Sequence, residues 1–279
     1  MKEIKNNWQI LTIMTIINLF VLWHFISVGQ TKHGIGYFIF FYAAILTINY
    51  FTKKIPPQID NEIKDPKREL NITILFAFLG FVFLVLNFIL KSNFPQIGFL
   101  IKLPVIIGMF LFSMPLGILI YLLLKKYKFL ELGIKTKPLT HLLLGLIILT
   151  LTGIFAVVFN KSGILWKEGL EEVGGIFGLI IKGVIGAALV EEFYRFVIQT
   201  RFGKVFKTVG INILFASTIW AFMHFPVTYF KSKDTESTLI YCIQIIPIGF
   251  IWGYLTQRTK SILPSVIVHG MNLWGFQNG

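Results

Sequence analysis

The sequence predicts an all-α fold: a polytopic membrane helix bundle of eight or nine transmembrane helices, forming one membrane domain over residues 1–279. Three observations carry this. The chain is 55% hydrophobic and only 14% charged, with 29 Phe among its 279 residues, more apolar surface than a soluble domain of this size uses. The apolar residues come in runs of about 20, the length an α-helix needs to cross the hydrocarbon layer. The Lys and Arg residues are scattered in the short connections between runs, as in multi-pass proteins that fix their orientation with cations. The +13 formal charge is therefore read as topology rather than as a nucleic-acid surface. The single cysteine, Cys242, leaves no intrachain disulfide and no cysteine-based metal site.

In chain order the apolar runs cover residues 8–28, 35–51, 71–90, 103–124, 138–159, 176–202, 209–225, 239–256 and 262–276. The first is too long, and too poor in small residues near its end, for a cleaved signal peptide. Residues 53–70, with KKIPPQID and KDPKREL, form the longest polar connection and set a leading helix pair apart. A second polar stretch, 160–175, precedes the sixth run. Residues 1–160 are thus expected to be leading helices, and residues 170–279 the core that carries the polar motifs. If all nine runs cross, the connections alternate sides and divide the Lys and Arg 17 to 7, which predicts a cytoplasmic N-terminus.

Of the 13 acidic residues, only Glu191 and Glu192 stand inside an apolar run. A charge in lipid costs several kcal/mol unless it is paired, hidden or neutralised, so such residues mark a functional site by default. At about 100° per residue, Glu191 and Arg195 share a helix face, Glu192 and Arg195 also meet, and the two carboxylates diverge. One Glu can face the bundle interior while the other takes the arginine. The next apolar runs carry His224 and His269, and Asn272 lies three residues beyond His269 on the same face. A carboxylate and two imidazoles on neighbouring helices can activate water, and a buried Asn amide offers two donors for a developing oxyanion. His24 and His141 have no acidic company in sequence and read as structural. Lys182, half a rotation from Glu191, is expected to snorkel to the interface.

The motifs EEFYR at 191–195, WAFMH at 220–224 and HGMN at 269–272 resemble those of the CPBP family. This family comprises the CAAX-prenyl endopeptidases and bacteriocin-processing enzymes, and is also called the Abi family of intramembrane proteases. Its pattern is Glu-Glu-x-x-x-Arg, then aromatic-x-x-x-His, then His-x-x-x-Asn or Asp. The middle motif keeps the family spacing; the first and third are one residue short, and Leu273 stands where the family places its Asn. The resemblance covers residues 170 onward. It implies hydrolysis of a peptide bond in or at the membrane, with Glu191 as base aided by His224. Asn272 and His269 would then hold the oxyanion, and Glu192 with Arg195 would fix the acidic helix. The substrate would be a peptide or membrane-protein segment, including lipidated ones, and nucleic acid is not a partner.

The family has been described both as glutamate-dependent and as metal-dependent. The sequence has no His-Glu-x-x-His, so a site without cofactor is expected. Zn²⁺ held by Glu191, His224 and His269 is the alternative. Two other functions remain open: a catalytically inactive membrane regulator of the same fold, and a proton-coupled transporter. Catalysis requires Glu191, His224 and His269 to converge. It also requires a polar, water-holding cavity, expected between the acidic helix and the last helix and open to one aqueous side, with the cytoplasmic side favoured, or to the bilayer.

Overall fold

The computed structural model describes residues 2–53, 63–134, 139–159, 166–207 and 210–272, with side chains described from residue 9 onward and not at residue 140. Among these residues the chain is helical, with no strand. The helices are α1 (Lys2–Ser27), α2 (Thr31–Thr52), α3 (Pro66–Asn93), α4 (Phe99–Gly108), α5 (Leu116–Leu124), α6 (Leu139–Phe159) and α7 (Trp166–Val173). They continue with α8 (Gly175–Gly178), α9 (Val190–Phe206), α10 (Ile211–Met223), α11 (Phe225–Ser232), α12 (Thr235–Thr259) and α13 (Leu263–Met271). Two π-helical segments are built in: Met109–Ser113 extends α4, and Leu179–Leu189 joins α8 to α9.

Local chemistry sets several boundaries. Pro66 opens α3 in its first turn, where a missing N–H costs nothing, and the Asp65 carboxylate accepts from the Arg68 N–H. Asp234 caps α12 through the N–H groups of Glu236 and Ser237. Its carboxyl is held below the usual range, first by the Ser237 hydroxyl and then by those two N–H groups. The α10–α11 break falls at His224, two residues before Pro226.

Six described helices are long and apolar enough to cross a membrane, and the number rises to eight if each of two bent pairs forms one span. One pair is Phe99–Ser113 with Leu116–Leu124, bent by 60°; the other is Trp166–Val173 with Gly175–Phe206, bent by 75°. The chain is therefore an integral multi-pass helical protein. The fourth apolar run is a broken helix rather than a straight one. The ninth yields α13, nine residues long, too short to span at 1.5 Å per residue; the run from Leu273 onward lies outside the described residues. Large exposed apolar side chains such as Trp23, Leu46, Phe78 and Leu100 suit a lipid-facing perimeter.

Two hydrophobic cores meet at the acidic helix. One is built on α1, α2, α6, α10 and α12 and includes Phe41, Ile148, Trp220, Trp252 and Val268. The other gathers α3, α5 and α9 and includes Ala77, Leu122, Phe196 and Val197. Their seam runs past the motif residues, because α9 packs on both α3 and α10 while α13 lies on the π-helical segment and on α6.

The placement of charge departs from the sequence reading at one point. Glu69, assigned to a polar connection, lies fully buried in the first turn of α3. Its partner is Arg201 of α9, also fully buried, near the end of the sixth apolar run. Amphipathic end-turns look polar in sequence, yet they are enclosed here because a second charge from another helix meets the first. Lys182 is exposed, and its ammonium reaches back to the Val173 carbonyl at 3.2 Å.

Candidate active site

Glu191 and Glu192 begin α9, where the π-helical segment returns to α-geometry. The wider π turns precede the acidic pair, a placement frequent at functional sites. The two carboxylates diverge as the helical angle requires. Glu192 is buried and pairs with Arg195, three residues on. The guanidinium carbon lies 6.0 Å from the Trp220 ring and 5.8 Å from the Trp252 ring. Glu191 turns the other way and stays partly accessible, its side chain 29% exposed.

The Glu191 Oε2 atom is the hub. The Trp220 indole N–H donates to it at 2.6 Å. The Nε2 atoms of His224 and His269 lie 3.7 and 3.6 Å from the same oxygen. Each imidazole is oriented from behind. His224 Nδ1 faces the Trp220 carbonyl at 3.0 Å; a carbonyl only accepts, so Nδ1 carries the proton and Nε2 presents its lone pair in the neutral ring. His269 Nδ1 faces Glu192 Oε1 at 3.0 Å, and the same logic applies. Trp252 stacks on the His269 ring, with centroids 4.0 Å apart.

The helix hairpin explains why residues 191 and 224 are level. Glu191 precedes the end of α9 by 15 residues and His224 follows the start of α10 by 13. At 1.5 Å per residue these are depths of about 22 and 20 Å from the same turn. His269 arrives by close packing instead. Gly270 has no Cβ, and one placed there would lie 2.7 Å from Val184 Cα; a Cβ on Gly183 would lie 2.7 Å from the Gly270 carbonyl oxygen. The two glycines let α13 approach the π-helical segment to backbone contact.

A cavity of about 270 Å³ opens beside Glu191. Glu191, Arg195, Trp220 and His224 form its polar end, and Leu84, Met109, Phe110, Met114, Met223 and Val227 are among its apolar walls. This corrects the expected position and character. The cavity lies toward α3 and the broken α4–α5 pair, not toward the last helix, and its surface is mostly apolar. The reason is the glycine contact just described, which closes the space between the acidic helix and α13.

Asn272 caps the end of α13, its N–H donating to the His269 carbonyl at 3.3 Å. It does not line the cavity. Arg195 pairs with Glu192, whereas the sequence allowed Glu191 as well. Sequence reasoning missed the contributions of Trp220 and Trp252. The aromatic at the head of WAFMH was visible, but its N–H contact with the carboxylate depends on a third dimension.

The donor types suit Zn²⁺: two imidazoles presenting lone pairs and one carboxylate, with His269 backed by Glu192 in the usual outer-shell manner. The spacing does not. Among the described residues no three His, Cys, Asp or Glu side chains are gathered closely enough to hold a metal ion, and Glu191 Oε2 already accepts the indole N–H.

Fold and site together define a multi-pass helical membrane protein with a carboxylate–imidazole cluster at the seam of its two cores. Residues 173–274 match the family model of the type II CAAX prenyl endopeptidases, Rce1-like. The match covers just over a third of the chain, contains all three motifs, and agrees with the resemblance drawn from them. The matched region is thus similar to a family of membrane proteases acting on peptides. No curated protein and no solved structure gives a match.

Proposed function

We propose that this protein is an intramembrane endopeptidase in which Glu191 and His224 activate the water that attacks a peptide bond. The observation that carries this reading is the meeting of Glu191 Oε2 with the Nε2 atoms of two histidines from different helices, at 3.7 and 3.6 Å. These separations are too long for direct hydrogen bonds. They suit a water held against the carboxylate and an imidazole together.

The chemistry follows from the donors and acceptors present. Glu191 takes a proton from the water, His224 Nε2 accepts the second hydrogen bond and orients the oxygen lone pair, and the new C–O bond forms at the scissile carbonyl carbon. His269, its Nδ1 proton held by Glu192, can carry a further proton at Nε2 and offer it to the oxyanion; Asn272, capping α13 away from the cavity, is given no part in this step. Collapse of the tetrahedral centre breaks the C–N bond, and Glu191 returns its proton to the leaving amine. Glu192 holds Arg195 and His269 in place. No step runs through a metal. The apolar walls of the cavity suit a substrate with a large apolar group, lipidated or not, near the cleaved bond. The cation distribution supports a cytoplasmic N-terminus.

The test uses a quenched-fluorescent peptide ending in a farnesylated cysteine and three further residues, given to the purified protein in lipid nanodiscs. Cleavage by wild type and its loss in Glu191→Gln support the proposal. A Glu191→Gln protein as active as wild type refutes it, and binding without cleavage by wild type indicates the regulator.

A further inference from the structure

Trp220 touches both members of the water-activating pair. Its indole N–H donates to Glu191 Oε2 at 2.6 Å, and its main-chain carbonyl accepts from His224 Nδ1 at 3.0 Å. The motif at 220–224 asks only for an aromatic residue. A phenyl ring would fill much of the same space and leave the carboxylate without this donor. The geometry points to Trp220 as a positioning residue whose indole N–H fixes the Glu191 carboxylate for proton abstraction.

The ring is held well enough for that task. It is 8% exposed, meets Trp252 edge-on with centroids 5.4 Å apart, and lies edge-on to His269 at 5.8 Å. Space for the indole's six-membered ring comes from Gly249 of α12, where a Cβ would stand 2.8 Å from the Trp220 Cε3 atom. Glu191, by contrast, carries its carboxylate on a flexible side chain that is partly exposed to the cavity. Without a fixed donor it could rotate away from both histidines. In a water-excluding site a hydrogen bond to a charged acceptor is strong, and a fixed geometry lowers the barrier to proton transfer. Because Trp220 also orients His224 through its backbone, losing the N–H should disturb the carboxylate while leaving the imidazole contact in place. This inference rests on Glu191 acting as the base.

The experiment replaces Trp220 with benzothienylalanine, which keeps the bicyclic shape but has sulfur in place of N–H, and separately with Phe. With the farnesylated peptide, loss of a hydrogen bond to a charged group should lower kcat about 10- to 100-fold, with KM within about twofold. A packing role alone would leave the benzothienylalanine protein like wild type and only the Phe protein impaired; that result overturns the inference. A second readout does not depend on turnover. The ultraviolet resonance Raman difference between wild type and Trp220→Phe isolates the residue 220 indole, whose N–H-sensitive band should report a strong hydrogen bond. The band should move to its weakly bonded position when the same difference is taken in a Glu191→Leu background, which removes the acceptor. An unmoved band shows that the donor does not engage Glu191 and overturns the inference, even if the peptide is cleaved. If Glu191→Gln keeps full activity, the proposed function falls while the Raman comparison still decides whether Trp220 holds the carboxylate.

Discussion

Glu69 of α3 and Arg201 of α9, 132 residues apart in sequence, form an ion pair at 3.0 Å, with neither side chain more than 1% exposed. The Tyr127 hydroxyl donates to the other Glu69 oxygen at 2.8 Å. It accepts in turn from the Lys64 N–H at 2.7 Å. Burial, the largest cause, pushes that hydroxyl up to about 12, so it remains a donor across the working range. The cluster ties the start of α3 to the last turns of the helix that carries Glu191.

Removing one partner of such a pair leaves a buried charge unmatched, which costs roughly 3–5 kcal/mol. Glu69→Gln or Arg201→Met is therefore expected to lower the unfolding midpoint in detergent strongly. The double variant should recover part of the loss. Thermal unfolding of the four proteins checks this, and additive losses would show that the two groups are not coupled.

The two adjacent carboxylates should respond differently. Glu191→Gln is expected to lower turnover by about 10²- to 10⁴-fold, the usual contribution of a general base, with unfolding close to wild type. Glu192→Gln removes the negative charge that matches buried Arg195 and backs His269 Nδ1, so its main effect should be on stability. Peptide cleavage and thermal unfolding, measured together, separate them. A dead Glu192→Gln beside an active Glu191→Gln would mean that the shortened first motif shifts the base by one position.

Gly270→Ala tests how His269 is delivered. The new methyl would meet Val184 Cα at 2.7 Å and Ala188 Cβ at 3.1 Å, and overpacking of this kind costs about 1–3 kcal/mol. The expected result is an inserted, folded protein with α13 displaced and turnover at least about tenfold lower, since reacting groups lose alignment with small shifts. Unchanged turnover would show that the close approach of α13 is not needed.

Metal dependence is checked by chelation. With water activated by carboxylate and imidazole alone, a strong chelator should leave peptide cleavage unchanged. Reversible loss restored by Zn²⁺ would instead make Glu191, His224 and His269 ligands.

Much of the candidate site was legible because lipid makes charge conspicuous. Glu191, Glu192, Arg195, His224 and His269 stood out as ionisable residues in apolar runs, and their spacing gave the divergence of the two carboxylates. Trp220 and Trp252 did not stand out, since aromatics are common in this chain and only their contacts with Glu191 and His269 distinguish them. Glu69 and Arg201 were hidden at helix ends, where a charge usually meets water or headgroups. The cavity was misplaced because the approach of α13 depends on which glycines face each other.

The sequence by itself determined the helical membrane class, the order of the three motifs and the divergence of the two adjacent carboxylates. These follow from local quantities: apolar run length, the cost of charge in lipid and the angle between successive helix positions. The tertiary structure alone decided that Glu191 meets both imidazoles at one oxygen and that Trp220 donates to it. It also decided that Glu69 finds Arg201 and that the open space lies toward α3 and the broken helix. Those relations arise from helix depth, crossing and glycine contacts between segments far apart in the chain, which no local pattern encodes.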